Sequence, residues 1–318
     1  MASGARLTIA VLLALASFVC GAQPRPVRVL VPFAPGGASD VYTRIAAQKI
    51  TEQTGKTFVV ENRTGAGGRI AWEAAAKSAP DGATVTLIDA TYPMLPGLFE
   101  KLPWDVSADL VPVALIAQTP FVVVAGPQSK LKTLRELIAE ARARPGKLNF
   151  GSAGVGSVTH VVAALFLHSA RIDVTHIPYK GMSDVSAALQ GGQVDLMIAA
   201  APTALGAIRS GKASPLAVSS AARSPVLPEV PTASEAGVDY VVSNWFGWAV
   251  PKGTPRAAID ALRDDVVRAM AAQEVRVKLA AQGAEPSSFT PEQFAGFLKD
   301  ETRRWTDVIK SSGIRVEQ

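Results

Sequence analysis

Cysteine is almost missing from the chain: Cys20 is the only one, and it lies in a leading segment unlike the rest. A mature chain starting at Gln23 would have none, which excludes thiol catalysis, structural disulfides and cysteine-ligated metal. Such a chain suits a compartment where disulfides form, without proving one. Histidine is nearly as scarce, with His160, His168 and His176 alone. On a helix, His160 and His168 fall about 80° out of phase. His176 belongs to a separate strand, so spacing gives no metal-ligand cluster. No Gly-x-Ser-x-Gly elbow precedes a helix, and no Gly-Lys-Ser/Thr ends a phosphate loop. Gly154-Val155-Gly156 lacks the third glycine of a dinucleotide fingerprint. Asp40, Asp89, Asp184 and Asp195 are candidate carboxylates, but no spacing ties two of them together. Catalytic residues are therefore not assigned, and no motif requires a metal or organic cofactor. Basic residues are not gathered either. The stretch 135–147 carries Arg142, Arg144 and Lys147 beside Glu136 and Glu140, with no interleaved aromatics, which argues against nucleic acid. The formal net charge of +5 supplies at most a mild field for anions.

Residues 1–22 read as a secretory signal. Arg6 is the only charge before Arg25, and residues 7–19 are almost wholly apolar. Small residues at Cys20 and Ala22 place cleavage near Ala22; an uncleaved anchor and a lipidated Cys20 are the rivals. No later run of eighteen apolar residues is free of charge, so a soluble, exported mature protein is expected. With 48% hydrophobic and 19% charged residues among 318, the chain can bury a core without staples.

Strand and helix patterns alternate along the mature chain. Strands are expected at 27–32, 57–61, 84–89, 121–125, 148–151, 174–178, 194–199, 216–219 and 245–250. Helices are expected from Ser39 or Asp40 to about 53, then at 70–77, 133–144, 157–168 and 183–190, after Pro255, and from Thr290 onward. The stretch Thr84–Asp89 reads Thr-Val-Thr-Leu-Ile-Asp, as in a parallel sheet covered on both faces. Thr133 with Glu136 and Thr290 with Gln293 are capping boxes. Phe294, Phe297, Leu298, Trp305 and Ile309 should pack the last helix on the first α/β set. The division is lobe one at 24–122 resumed from 246 to 318, and lobe two at 123–245. A serial pair of domains is the alternative.

Two loops form the candidate site. One spans Phe33, Ala34, Gly37, Ala38 and Ser39; the other spans Ser152, Ala153, Gly154, Gly156, Ser157, Thr159 and His160. Each joins a strand end to a helix start, where backbone amides lack helical partners and can grip an anion. Gly36, Gly37, Gly154 and Gly156 let the backbone approach a ligand. Topology alone can also demand such loops. Thr91 at a strand end, His160 and Lys180 are further candidate donors. Trp245 and Trp248 either wall the pocket or fill the core, the core being favoured.

The order of short motifs resembles the tripartite tricarboxylate transporter receptor family, the Bug receptors. The pieces include Val31-Pro32-Phe33-Ala34-Pro35-Gly36-Gly37 with Asp40, Val60-Glu61-Asn62-Arg63, and Leu102-Pro103-Trp104-Asp105. They continue with Gly151-Ser152-Ala153-Gly154-Val155-Gly156-Ser157, His176-Ile177-Pro178-Tyr179-Lys180-Gly181, Gly191-Gly192-Gln193-Val194-Asp195 and Trp245-Phe246-Gly247. The resemblance implies a two-lobed periplasmic-binding-protein fold of type II, with a two-crossing hinge near Thr119-Pro120 and Ser243-Asn244. It implies a monomer that holds a small organic carboxylate between the two loops and passes it to permease subunits of a tripartite tricarboxylate-type transporter. A receptor for a signalling partner and an exported α/β enzyme are the other classes. The chain departs from the family pattern at Asp184, where relatives have proline, and at Ala188, where they have aspartate. If that aspartate serves ligand amino groups, its loss favours a carboxylate without positive character.

Overall fold

The computed structural model describes residues 25–286 and 289–312; the expected signal segment, with Cys20 and Ala22, lies outside them. Among the described residues no helix is long and apolar enough to cross a membrane.

Nine strands form one sheet path: β1 (Val27–Val31), β2 (Phe58–Asn62), β3 (Thr84–Asp89), β4 (Leu110–Ala125), β5 (Asn149–Ser152), β6 (Thr175–Pro178), β7 (Leu196–Ala200), β8 (Ser214–Val218) and β9 (Ser243–Pro251). Their order is β2-β1-β3-β9-β4-β7-β5-β6, with β8 also on β4. The long strand β4 is the shared member. From Leu110 to Pro120 it pairs with β9, and from Phe121 to Ala125 with β7. Sequence alone yields only its second half, because Pro112 and Pro120 look like breaks. The fold keeps them in the strand, with register shifts between Pro112 and Ala114 and between Leu115 and Ala117. Bulges of this kind are where a sheet tolerates proline and bends.

Strand direction decides what faces what. β1 and β2 are parallel to β3, and β9 is antiparallel to both β3 and β4, so β1, β2 and β3 run the same way as β4, toward the second half-sheet. β7 is antiparallel to β4, and β5 and β6 are parallel to β7, so all three run back toward the first half-sheet. The carboxyl ends of the two sets of parallel strands therefore point at one another across the Ala117–Phe121 stretch of β4. Asp89 is level with Ala117 through Phe246, and Ala200 is level with Phe121. Open α/β sheets bind ligands beyond these strand ends.

The helices are α1 (Ala38–Thr54), α2 (Arg69–Ala76), α3 (Leu95–Leu98), α4 (Leu134–Ala143), α5 (Val158–Ala170), α6 (Met182–Gln190), α7 (Ala201–Arg209), α8 (Arg256–Ala271), α9 (Gln273–Ala280) and α10 (Pro291–Ser312). α7 and α9 carry too little apolar periodicity to be read from sequence; α7 is mostly alanine and small residues. Both expected caps form: Glu136 N donates to Thr133 Oγ1 (3.1 Å), and Gln293 N to Thr290 Oγ1 (3.2 Å); the return bond closes on the cap amide at Thr290 (2.9 Å), whereas Glu136 accepts from Lys132 N (2.8 Å). Phe294, Leu298, Trp305 and Ile309 of α10 are buried. α10 packs on the 92–98 segment and β4 as expected, and in addition on α5 of the second half. Trp245 and Trp248 are both core residues: Trp245 meets Phe294 edge-on at 5.7 Å, and Trp248 stacks on Phe58 at 5.8 Å.

Candidate functional site

The first loop leaves β1 and enters α1. Gly36 holds φ +82°, a left-handed conformation that favours glycine, whereas Gly37 is ordinary extended backbone at φ −76°. The cap differs from the sequence expectation. Gly37 is the N-cap, and Ser39 and Asp40 sit inside the first turn without capping it. Asp40 instead reaches back: its carboxylate accepts from Gly36 N (3.0 Å), Arg44 Nε (2.9 Å) and Asn62 Nδ2 (2.9 Å). Burial works to raise this carboxyl's pKa, but Arg44, the Gly36 amide and Asn62 outweigh it and hold it below the ordinary carboxylate range. Asn62 also donates to Phe33 O (2.9 Å), so the carbonyl of Phe33 is engaged while its ring rests edge-on against Trp72. Ala34 is exposed. With no side-chain cap, the amides of Ala38, Ser39 and Asp40 have no partner among the described residues.

Ser39 and Thr91 meet at Asp89, the last residue of β3. All three are buried. Thr91 N donates to Asp89 Oδ1 (3.0 Å). Burial pushes the Asp89 carboxyl up to about 6, a rise that Thr91 and the Ser39 hydroxyl only partly offset. The Thr91 hydroxyl is buried against Asp89 without closing a hydrogen bond to it.

The second loop leaves β5 and enters α5. Ser157, where the sequence pattern starts the helix, is its N-cap, accepting from His160 N. Much of the loop's polarity is spent internally. Ala153 N donates to Thr159 Oγ1 (3.0 Å), Gly154 N to Ser152 Oγ (3.2 Å), and Gly156 N, at φ +77°, to His160 Nδ1 (3.1 Å). Ser157 Oγ donates to Gly154 O (2.7 Å). The amides of Val155, Val158 and Thr159 have no partner among the described residues.

His160 and His176 stack at 4.0 Å on one side of Phe150, and Ser152 Oγ lies 2.6 Å from His176 Nε2. Spacing had separated these histidines; the pairing of β5 with β6 brings them together, while His168 is exposed. No group of three possible metal ligands occurs among the described residues. Burial, reinforced by His176, pushes His160 down to about 4, and burial lowers His176. Because Gly156 N–H occupies Nδ1, neutral His160 carries its proton on Nε2 and presents an uncharged donor.

Lys180 is exposed just past β6 and has no ion-pair partner among the described residues. The premise about positions 184 and 188 does not survive. Asp184 is exposed in the first turn of α6, and Ala188 is buried among Val185, Leu189 and Val194 near that helix's far end. Position 188 lies about 9 Å along the helix from its start, away from the strand ends. Its alanine therefore says nothing about ligand charge. Sequence reasoning missed Asn62, His176 and Asn244. Asn62 sits in a quoted motif, but its tie to the first loop spans 29 residues and is visible only in the fold. Two surface depressions, of about 690 and 330 Å³, lie elsewhere, on the α4–α5 side near Arg142 and Arg171 and beside α1 and β2. Neither receives a strand end or a free helix start, so neither competes with the gap.

The comparisons agree with this architecture. The family model described as tripartite tricarboxylate transporter family receptor matches residues 42–314. Protein BugT of Bordetella pertussis is 40% identical over 296 residues, covering 92% of this chain and 91% of that protein. A Rhodopseudomonas palustris protein solved with adipate is 32% identical, with a TM-score of 0.88 over 92% of this chain and 99% of that one. MatC from Rhodopseudomonas palustris, solved with bound malate, is 34% identical, with a TM-score of 0.84 over 90% of this chain and 99% of that one. The fold is the two-lobed one of periplasmic binding proteins, and the chain belongs to the tripartite tricarboxylate transporter receptor family.

Proposed function

We propose that this chain is a periplasmic receptor that captures a small organic carboxylate in the gap between its lobes and delivers it to the permease subunits of a tripartite tricarboxylate-type transporter. The observation that carries the reading is the opposed direction of the two strand sets, which aims the starts of α1 and α5 into one gap. The free amides of Ala38 and Ser39 on one side, and of Val158 and Thr159 with His160 Nε2–H on the other, supply uncharged donors for an anion. Helix starts favour negative charge by about 0.3–1 kcal/mol each when exposed, more when dry. Uncharged donors leave no buried cation behind when the site empties. The adipate and malate of the relatives are carboxylates of this size class.

The lobes divide where β4 changes partners, after Pro120, and where β9 begins at Ser243, which favours lobe one at 24–122 plus 246–318 over the serial arrangement. Ligand closes the lobes by shifting an existing open–closed equilibrium, not by chemistry. The protein acts as a monomer.

Val158→Pro tests the site directly. Val158 is the first helical residue, and Ser157 before it already has φ −67° and ψ 158°, which proline accepts. The variant removes one amide donor and leaves the helix intact. Native mass spectrometry of the purified protein identifies a bound acid, and calorimetry should then show about tenfold weaker binding in the variant, the worth of one hydrogen bond to a charged group. Unchanged affinity for that acid would remove α5 from the site.

A further inference from the structure

Buried polar atoms without partners gather on one face of the first lobe. Paired residues of an antiparallel ladder share a face, and Asp89 pairs with Phe246. Asn244 lies two residues earlier on β9, so its side chain stands on that same face. This is the face where Phe246 meets Tyr42 of α1 edge-on at 4.9 Å and where the Ser39 hydroxyl meets Asp89. Thr91, two residues past Asp89, lies in the turn that follows β3, with its amide tied back to the Asp89 carboxylate. Asn244 Oδ1 is buried without a hydrogen-bond partner, while the Thr91 hydroxyl lies against Asp89 and the Tyr42 hydroxyl against Thr119 without closing a hydrogen bond; Thr91, Asn244 and Asp89 are only 0%, 4% and 2% exposed. A buried polar atom left unpaired is costly, and a cluster of them at a strand end calls for a guest.

Acceptors are concentrated in the cluster, although the Asn244 amide and the two hydroxyls can also donate. Ionised Asp89 and the Asn244 side-chain oxygen only accept hydrogen bonds, and the hydroxyls of Thr91 and Tyr42 can accept as well. An anion held on the α1 amides beside them would face the Asp89 carboxylate. A proton-bearing group between the two negative centres turns that repulsion into two hydrogen bonds.

We propose that Asp89, Asn244 and Thr91 form an acceptor subsite beside the start of α1, selecting carboxylates that carry a hydroxyl or ammonium donor on the carbon next to the carboxylate. The proposal rests on the carboxylate-receptor reading. It is tested on the full mature chain by calorimetry with matched acids that differ only at that carbon. The series are succinate, malate and aspartate; propionate, lactate and alanine; and phenylacetate, mandelate and phenylglycine. An acid found on the purified protein by native mass spectrometry is added with its unsubstituted analogue. Within a series that binds, the hydroxy or amino member should bind at least about tenfold tighter than the unsubstituted acid, which is about 1.4 kcal/mol. The hydroxyl and ammonium arms identify which donor is used. Asp89→Asn should shrink the preference to about threefold or less, 0.6–0.7 kcal/mol, while the unsubstituted acid still binds. Equal affinity across a binding series would overturn the proposal and leave the cluster to ordered water, with the carboxylate reading intact. Failure of every acid in both assays would overturn that reading and the subsite together.

Discussion

Acidifying the ligand-free protein from pH 7 to pH 5 sets two buried groups against each other. His160 is pushed down to about 4 from an ordinary 6.5, so the unfolded chain takes up its proton first. Its contribution to stability is present above about pH 6.5 and is lost as pH falls toward 4. Asp89 is pushed up to about 6 from an ordinary 3.8, so the folded chain takes up that proton first. Stability is gained as pH falls through 6 and is complete below about 3.8. Proton linkage puts the His160 loss between pH 7 and pH 5 at about 2 kcal/mol and the Asp89 gain at about 1 kcal/mol. The two partly offset each other. Asp89→Asn removes the gain, so its urea midpoint should fall more steeply with acid than that of the parent, by about 1 kcal/mol once converted with the m-value. His160→Asn keeps an acceptor for Gly156 N and removes the loss, so acid should stabilise it relative to the parent. Tryptophan fluorescence and circular dichroism at pH 7, 6 and 5 follow the transition. Other titrating groups are common to the parent and Asp89→Asn and drop out of that comparison; in His160→Asn the stacked His176 is relieved as well. Parallel pH profiles for the parent and Asp89→Asn would refute the placement of Asp89 as a buried carboxyl.

Three further outcomes follow from single contacts. A methyl group at Gly247 would overlap the Phe294 ring and crowd Ala114 O, so Gly247→Ala should lower stability by about 1–3 kcal/mol in thermal or urea unfolding. Ser157→Ala removes the cap of α5 and should cost about 1 kcal/mol, measured the same way, and also weaken ligand binding by loosening the second loop. Asn62→Ala frees Phe33 O and leaves Asp40 Oδ1 to Arg44 alone; ligand affinity should drop several-fold in calorimetry while the melting temperature changes by only a few degrees.

How much of this was legible in the sequence depended on the range of the interaction. Caps at Thr133 and Thr290 are three-residue patterns, and both side chains cap as read. The Gly36 turn is likewise local. The cap of α1 was misread because Asp40 is held by Asn62 from another strand, a competition no local pattern reports. The His160–His176 stack, the Asp89–Ser39 contact and the orphaned Asn244 oxygen all join residues from different elements.

By itself the sequence determined the alternation of strands and helices, the two glycine-bearing loops before helix starts, and the order of motifs that marks the family. These follow from backbone sterics, capping and apolar periodicity, which act over a few residues. Only the tertiary structure decided that the two loops rise into one gap. That depends on strand direction, fixed by β4 running through both half-sheets and by β9 lying antiparallel between β3 and β4. Hydrogen-bond registers between strands far apart in sequence set that geometry, and they leave no local trace in the chain.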